Sequence, residues 1–286
     1  MAKPHAALRA FGLQLRQVRE DAGISGRAMA ELLGWPPSKI SKLEHGQQTA
    51  TAADVVAWVG AAGAAAGVLE RLVAGLERAR LEYAAWRQQL ADGTRARQQS
   101  RLRAEAEVSS IRAFEPAVVP GLLQTPDYAR HVLAGIVEMY GVVDDVEEGV
   151  RVRLRRQELL YNSEKRFRFL MAEPALYCQM APREVMIAQI DRLLVAAGME
   201  TVELSIVPFS ARWPVGPLNG YWIFDDQYVL IETLSAELTV TEPADVDLYA
   251  RIFDTMWARA VSGDGARAVL LRASQAYREP GDPIRR

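Results

Sequence analysis

The sequence predicts an α+β protein in two parts, an all-α N-terminal region and a mixed α+β remainder. Three observations carry this. Residues 1–80 hold apolar residues at three- and four-residue spacings, broken by glycine and proline at short intervals. Residues beyond 109 add period-two runs such as Arg166–Met171, where Phe167, Phe169 and Met171 alternate with Arg168 and Leu170. Finally, 286 residues exceed one small domain, and about 150 residues per domain suggests two.

In the N-terminal part, Phe11, Leu15 and Val18, with Leu8 before them, give one helical face that stops at Gly23. Ser25 is a good N-cap for a second helix bearing Met29, Leu32 and Leu33, which Gly34 closes. Pro36-Pro37 starts a third, Ser38–His45, ended by Gly46, since proline is tolerated in a first helical turn. Thr49 or Thr51 opens a fourth with Val55, Val56, Trp58 and Val59, and a fifth follows near Val68–Arg80. Residues 81–108 read as a charged helical connector between a domain at 1–80 and one at 109–286.

The second domain opens irregularly at Pro116, Pro120 and Gly121. Helices are expected at Pro126–Tyr140, Asp144–Asn162 and Pro182–Ala197, and strands at Arg166–Met171 and Thr201–Val207. Leu218–Phe224 and Gln227–Leu234 flank Asp225-Asp226 as a hairpin would. A strand at Ala236–Val240 and helices at Ala244–Val261 and Gly265–Tyr277 complete a small, mostly antiparallel sheet with its helices.

Composition narrows the function classes. Half the residues are hydrophobic, 24% are charged and the formal net charge is −2, a balance suited to globular cores. With one cysteine, no intramolecular disulfide can form, and no apolar run reaches membrane-spanning length, so a cytoplasmic chain without membrane contact is expected. No His/Cys cluster has metal-ligand spacing, the three histidines are scattered, and Cys178 reads as a small buried hydrophobe. No enzyme activity, metal or cofactor is therefore expected. Residues 1–50 carry seven Lys/Arg against four acids, a mildly basic module on an acidic remainder.

Gly23–Gly46 is the informative stretch. Ala30 is small where two helices must touch. Met29, Leu33, Ile40 and Leu43 can lock them into a V, and Gly34 lets the chain leave the second helix. The third helix then offers Ser38, Lys39, Ser41 and Lys42 to solvent, short and cationic groups suited to base edges and phosphates in a major groove. A plain helical bundle is the bland alternative, but it would not need cations clustered on one short helix.

The segment Leu8–Leu72 resembles the XRE/phage-repressor helix-turn-helix family, through its Gly-Ile-Ser opening, Ala-Glu-Leu-Leu-Gly second helix and Ile-Ser-Lys-Leu-Glu-His-Gly third. The resemblance implies double-stranded DNA as partner and an ion pair of Arg19 with Glu44. It also implies phosphate contacts from Arg16 and the backbone near Gln47, groove contacts from Ser38, Lys39 and Lys42, and Ser41 close to the backbone of the duplex. Ser25 and Arg27, at the start of the second helix, join that surface. Gly26 and Pro37 depart from the family, each removing a side-chain contact.

Residues from Ile111 to Ser274 resemble the C-terminal domain of actinobacterial WhiJ-like, antitoxin-like regulators. The resemblance rests on Pro120-Gly121-Leu122-Leu123-Gln124-Thr125, Tyr128-Ala129, Arg153, Arg156-Gln157, Glu173 and Leu176. It implies a sensory or partner-binding role. The primary reading is a homodimeric regulator, most simply a repressor, whose second domain dimerises and takes a signal, since two-fold symmetry gathers enough contacts for specific binding. The alternatives to that reading are an antitoxin-like module holding a small partner protein, and a repressor gated by a small-molecule effector. The Pro120–Thr125 loop, with Gln124, Tyr128 and Arg156 as polar handles, could line a ligand or partner pocket, or simply seat the domain. Arg151, Arg153, Arg155 and Arg156 read better as a solvated or acid-paired face than as a second nucleic-acid patch. Trp213, Trp222, Trp257 and Tyr221 read as core of the sheet.

Overall fold

A computed structural model describes residues 5–48, 50–85, 90, 92–216, 218–234 and 236–279, with side chains except at 5–8, 66 and 77–85. Thr49 and the side chain of Leu8 therefore lie outside the described residues. The chain divides into two compact units, one built on residues 3–83 and 239–242, the other on 84–238 and 243–279.

The first unit is helical: α1 (His5–Asp21), α2 (Gly26–Leu33), α3 (Pro37–Glu44), α4 (Ala52–Ala62) and α5 (Ala66–Arg80). Ser25 caps α2 by accepting from the Ala28 N–H at 3.1 Å. Gly34 closes that helix at φ +64°, a left-handed conformation glycine adopts without strain. Thr51 and Asp54 form a capping box on α4. Phe11, Leu15, Met29, Ile40, Leu43, Val55, Trp58 and Leu72 meet in one core, and the Trp58 indole N–H is satisfied by the Leu15 carbonyl at 3.0 Å. Helix α1 crosses the end of α3 at Gly12. A β-carbon there would stand 2.5 Å from the Glu44 carbonyl oxygen and 2.6 Å from that of Leu43, so only glycine fits.

A short strand, β1 (Leu81–Ala85), follows. The second unit contains α6 (Gly93–Glu107), β2 (Ser110–Glu115), α7 (Pro126–Tyr140), α8 (Val146–Arg156), β3 (Arg166–Ala172), α9 (Arg183–Ala196) and β4 (Val202–Val207). After these come β5 (Tyr221–Phe224), β6 (Tyr228–Glu232), β7 (Ala236–Val240), α10 (Pro243–Trp257), β8 (Val261–Ser262) and α11 (Gly263–Arg278). Its strands run in the order β7-β6-β5-β2-β3-β4-β8. Pairs β2–β3 and β3–β4 are parallel, while β2–β5, β5–β6 and β4–β8 are antiparallel. Parallel pairs need crossovers, and α7, α8 and α9 supply them.

One sheet face packs on α9 and α11 through Phe167, Phe169, Ile190, Leu193, Leu270 and Tyr277. The other meets α10, where Tyr249 lies edge-on to Tyr221 at 4.9 Å. The sheet is thus covered on both faces, as parallel strands generally are. Asp225 and Asp226 turn the β5–β6 hairpin at φ +47° and +54°. Asp225 offsets that strain by accepting the Ser109 and Ser110 backbone N–H groups at 2.7–3.0 Å.

Residues 93–107 differ from the expected connector. They form α6, which packs on α8 and buries Thr94, Gln98, Arg101, Ala104 and Glu105. Both helix ends are tied down. Asp145 accepts from the Thr94 and Arg95 N–H groups at 2.7 and 3.0 Å, and the Lys165 ammonium donates to the carbonyls of Glu105, Ala106 and Val108. Polar residues hid this face in the sequence because its core contacts are ionic. Cys178, expected to be buried, is exposed. It follows a 3-10 turn at Glu173–Leu176 whose carbonyl at Pro174 takes the Cys178 N–H, leaving the thiol at the surface.

Candidate nucleic-acid interface

The α2–α3 pair is fixed from beneath. Ile40 and Leu43 are buried in the core of the first unit, and Glu44 turns inward beside them. Arg19 of α1 grips Glu44 with two bonds, Nε to Oε1 at 2.6 Å and Nη2 to Oε2 at 3.0 Å, and a third guanidinium hydrogen goes to the Ile24 carbonyl at 2.8 Å. Both side chains are about nine-tenths buried, and the hydrogen bonds to Glu44 hold the Arg19 pKa above its ordinary value. A bidentate pair of this kind sets orientation as well as distance. It fixes the end of α3 against α1.

The opposite face of α3 carries Ser38, Ser41, Lys42 and His45, all exposed, at spacings of three, four and seven residues from Ser38. The His45 ring sits 2.7 Å from the Ser41 carbonyl, and Lys42 makes no ion pair among the described residues. Beside them, Gly26, Arg27, Pro37, Ile40, Ser41, Glu44 and His45 line a cleft of about 420 Å³ between the two helices.

Lys39 is placed differently from the expectation. Its ammonium lies 2.7 Å from Asp54 and 3.7 Å from the Trp35 ring centroid, and its side chain is 27% exposed. The cause is α4. Asp54 already accepts the Thr51 N–H in the capping box, and Lys39 is the cation within reach of that carboxylate. Burial alone would raise the Asp54 pKa, but the bonds from Lys39 and Thr51 carry it below the usual carboxylate range. Lys39 is thus a strut between α3, α4 and Trp35, with its charge answered inside the unit.

The other residues of this surface fall as follows. Arg16 is exposed and pairs with Glu20 at 2.7 Å, a partner that raises its pKa. Arg27 is 87% exposed and loosely paired with Glu31 at 3.3 Å. Ser25 is exposed but uses its oxygen as the α2 cap. The Gln47 N–H, expected to be open to a phosphate, is taken by the Lys42 carbonyl at 2.8 Å as α3 ends. Its side chain remains exposed.

In the second unit the three residues expected as pocket handles separate. Gln124 and Arg156 line a cavity together with Arg97, Gln98, Arg101, Glu115, Arg153 and Trp222. Tyr128 does not. It is fully buried in the apolar core, with its hydroxyl 3.4 Å from the Val119 N–H, and burial pushes its pKa up to about 12. Thr125 caps α7 and turns Tyr128, three residues on, inward. The arginine run of α8 splits likewise: Arg151 and Arg155 are exposed, Arg153 and Arg156 buried. Trp222 and Tyr221 are buried in the sheet, while Trp213 and Trp257 are partly covered.

Comparison with protein families places each unit. Residues 98–272, more than half of the chain, match the model of a domain of unknown function, DUF5753. The chain belongs to the DUF5753 family. In this DUF5753 protein, residues 10–86 also match a helix-turn-helix domain model, the segment that includes α2 and α3. No curated protein and no solved structure matches the chain. The helix-turn-helix match points to a DNA-binding regulator rather than an enzyme. Among the described residues no helix is long and apolar enough to cross a membrane.

Proposed function

We propose that this DUF5753 protein is a sequence-specific transcription regulator that lays α3 in the major groove of an operator. The observation that carries the reading is the division of α3 into two faces. Ile40, Leu43 and Glu44 are locked inward, while Ser38, Ser41, Lys42 and His45 face solvent, with Lys42 unneutralised among the described residues. A helix so mounted suits a groove about 12 Å wide. Ser38, Ser41 and Lys42 would meet base edges and nearby phosphates, with Arg16, Arg27 and the Gln47 side chain at the flanks. The exposed ion pairs of Arg16 and Arg27 are weak enough to exchange a carboxylate for a phosphate. Ser25 and Lys39 would support this surface from within, Ser25 by capping α2 and Lys39 by bracing α3.

A pseudo-palindromic operator bound by a homodimer is the economical arrangement, since one short helix makes few contacts and two-fold symmetry doubles them. The second unit would then supply the control, and occupancy of a promoter by the dimer would repress. The resemblance to WhiJ-like regulators supports this assignment of roles.

Footprinting followed by a salt titration tests the reading. Lys42→Ala should weaken operator binding and lower the log–log salt slope by about one, if it neutralises one phosphate. Lys39→Ala should leave that slope unchanged. A Lys42→Ala protein that binds the footprinted site with wild-type affinity and slope would overturn the assignment of α3.

A further inference from the structure

The cavity in the second unit carries an inference of its own, drawn from that unit's residues alone and independent of the DNA reading. It measures about 100 Å³ and lies among α6, α7, α8 and the β2–β5 part of the sheet. Four guanidinium groups line it: Arg97, Arg101, Arg153 and Arg156.

Three of these have carboxylates. Arg156 is clamped on Glu105 at 2.8 and 2.5 Å, Arg97 bonds Glu237, and Arg101 stands 3.6 Å from Glu237 and 3.8 Å from Glu232. Arg101 is 5% exposed, and its Nη1 has no hydrogen-bond partner among the described residues. Arg153, 7% exposed, has neutral partners only among the described residues, the amide oxygens of Gln98 at 3.2 Å and of Gln124. A buried arginine without a counter-ion is costly unless something else supplies the charge.

The remaining carboxylate in the lining does not supply it. Glu115 accepts the Trp222 indole N–H at 2.7 Å, and burial, with Glu232 nearby, pushes it up to about 8. It is therefore mostly neutral near pH 7, and among the described residues no carboxylate bonds Arg153. The other walls are apolar: Val119, Val132, Ile136 and the Trp222 ring.

We infer that this cavity is a binding site for a small monocarboxylate, its head between Arg153 and Arg101 and its short apolar body against Val132, Ile136 and Trp222. The volume suits about four to six non-hydrogen atoms, since an engineered cavity of ~150 Å³ takes benzene. One guanidinium without a carboxylate among the described residues, Arg153, calls for a monoanion, and a planar carboxylate fits its fork.

Thermal unfolding of the full chain tests this with sodium butyrate as probe, against sodium chloride and inorganic phosphate at equal ionic strength. At saturating butyrate the second unit should melt about 5 °C higher or more, with no such rise in chloride or phosphate. Arg153→Met should abolish the shift while melting no lower than wild type without ligand, because it removes the unanswered charge. Val132→Phe, which fills the cavity and leaves every arginine in place, should abolish it too, and decides the matter if Arg153→Met fails to fold. The inference falls if wild type gives no butyrate shift, if phosphate or chloride matches it, or if the shift survives the variant that folds.

Discussion

Each unit contains a buried two-bond arginine–glutamate clamp, Arg19–Glu44 in the first and Arg156–Glu105 in the second, and the two are used in opposite ways. In the first, Arg19 and Glu44 answer each other and the Ile24 carbonyl takes a further hydrogen. Charge closes locally, so the pair acts as a rivet, and Lys42, which makes no ion pair among the described residues, stays outside. In the second, the Arg156–Glu105 clamp sits beside Arg153 and Arg101, whose charge is only partly answered. Similar chemistry gives a mechanical joint in one place and a charged cavity in the other. What separates them is the number of cations sharing the carboxylates.

Glu105→Ala should do the most damage to this contrast. It strips Arg156 of its counter-ion and deepens the surplus around Arg153, so the second unit should lose at least the ~3–5 kcal/mol typical of a broken buried pair. Glu44→Ala should cost the first unit a similar or smaller amount, since Arg19 keeps the Ile24 carbonyl. Calorimetry of the full chain can compare the two, and equal losses confined to one melting transition would erase the difference between the two clamps.

Gly12→Ala probes the rivet sterically. Its methyl group must displace the backbone of Leu43 and Glu44, which should destabilise the first unit by roughly 1–3 kcal/mol and tilt α3. Denaturant unfolding followed by the Trp58 environment would measure it, and operator affinity should fall in parallel.

Titration gives a gentler probe of the cavity. Glu115 has a folded pKa of about 8 against an ordinary 4.5, so the folded state holds a proton that the unfolded chain releases. The sign follows: stability is fully present below about pH 4.5 and declines as pH rises through 8. Glu115→Gln should remove that decline, because an amide oxygen can still accept from Trp222. Melting temperatures at pH 5, 7 and 8.5 for both proteins check this. The smallest effect belongs to the exposed Arg27–Glu31 pair, where Arg27→Ala should change stability by less than about 0.5 kcal/mol and so report on DNA binding alone.

Much of the first unit was legible because its devices are local. Ser25, Gly34, Pro37 and Thr51 act on backbone groups within four residues, and Phe11, Leu15, Met29 and Ile40 advertise their faces by spacing. The hairpin at Asp225-Asp226 was readable for the same reason. The strand Ser110–Glu115 was not. Only Ile111 and Ala113 mark its inner face, Arg112 lies on the other near Phe253 and Asp226, and what makes the strand central is pairing with β3 and β5, far along the chain.

Sequence alone determined the helix boundaries of the α2–α3 pair and the side chains α3 could show to a duplex, since caps, breakers and helical period act along the chain. Tertiary structure alone decided which of those side chains remain available. Lys39 was withdrawn by an aspartate fifteen residues away, and Arg153 was buried against amides 29 and 55 residues distant. A charge becomes free or answered according to what three-dimensional packing brings within a few ångströms, and no local pattern encodes that.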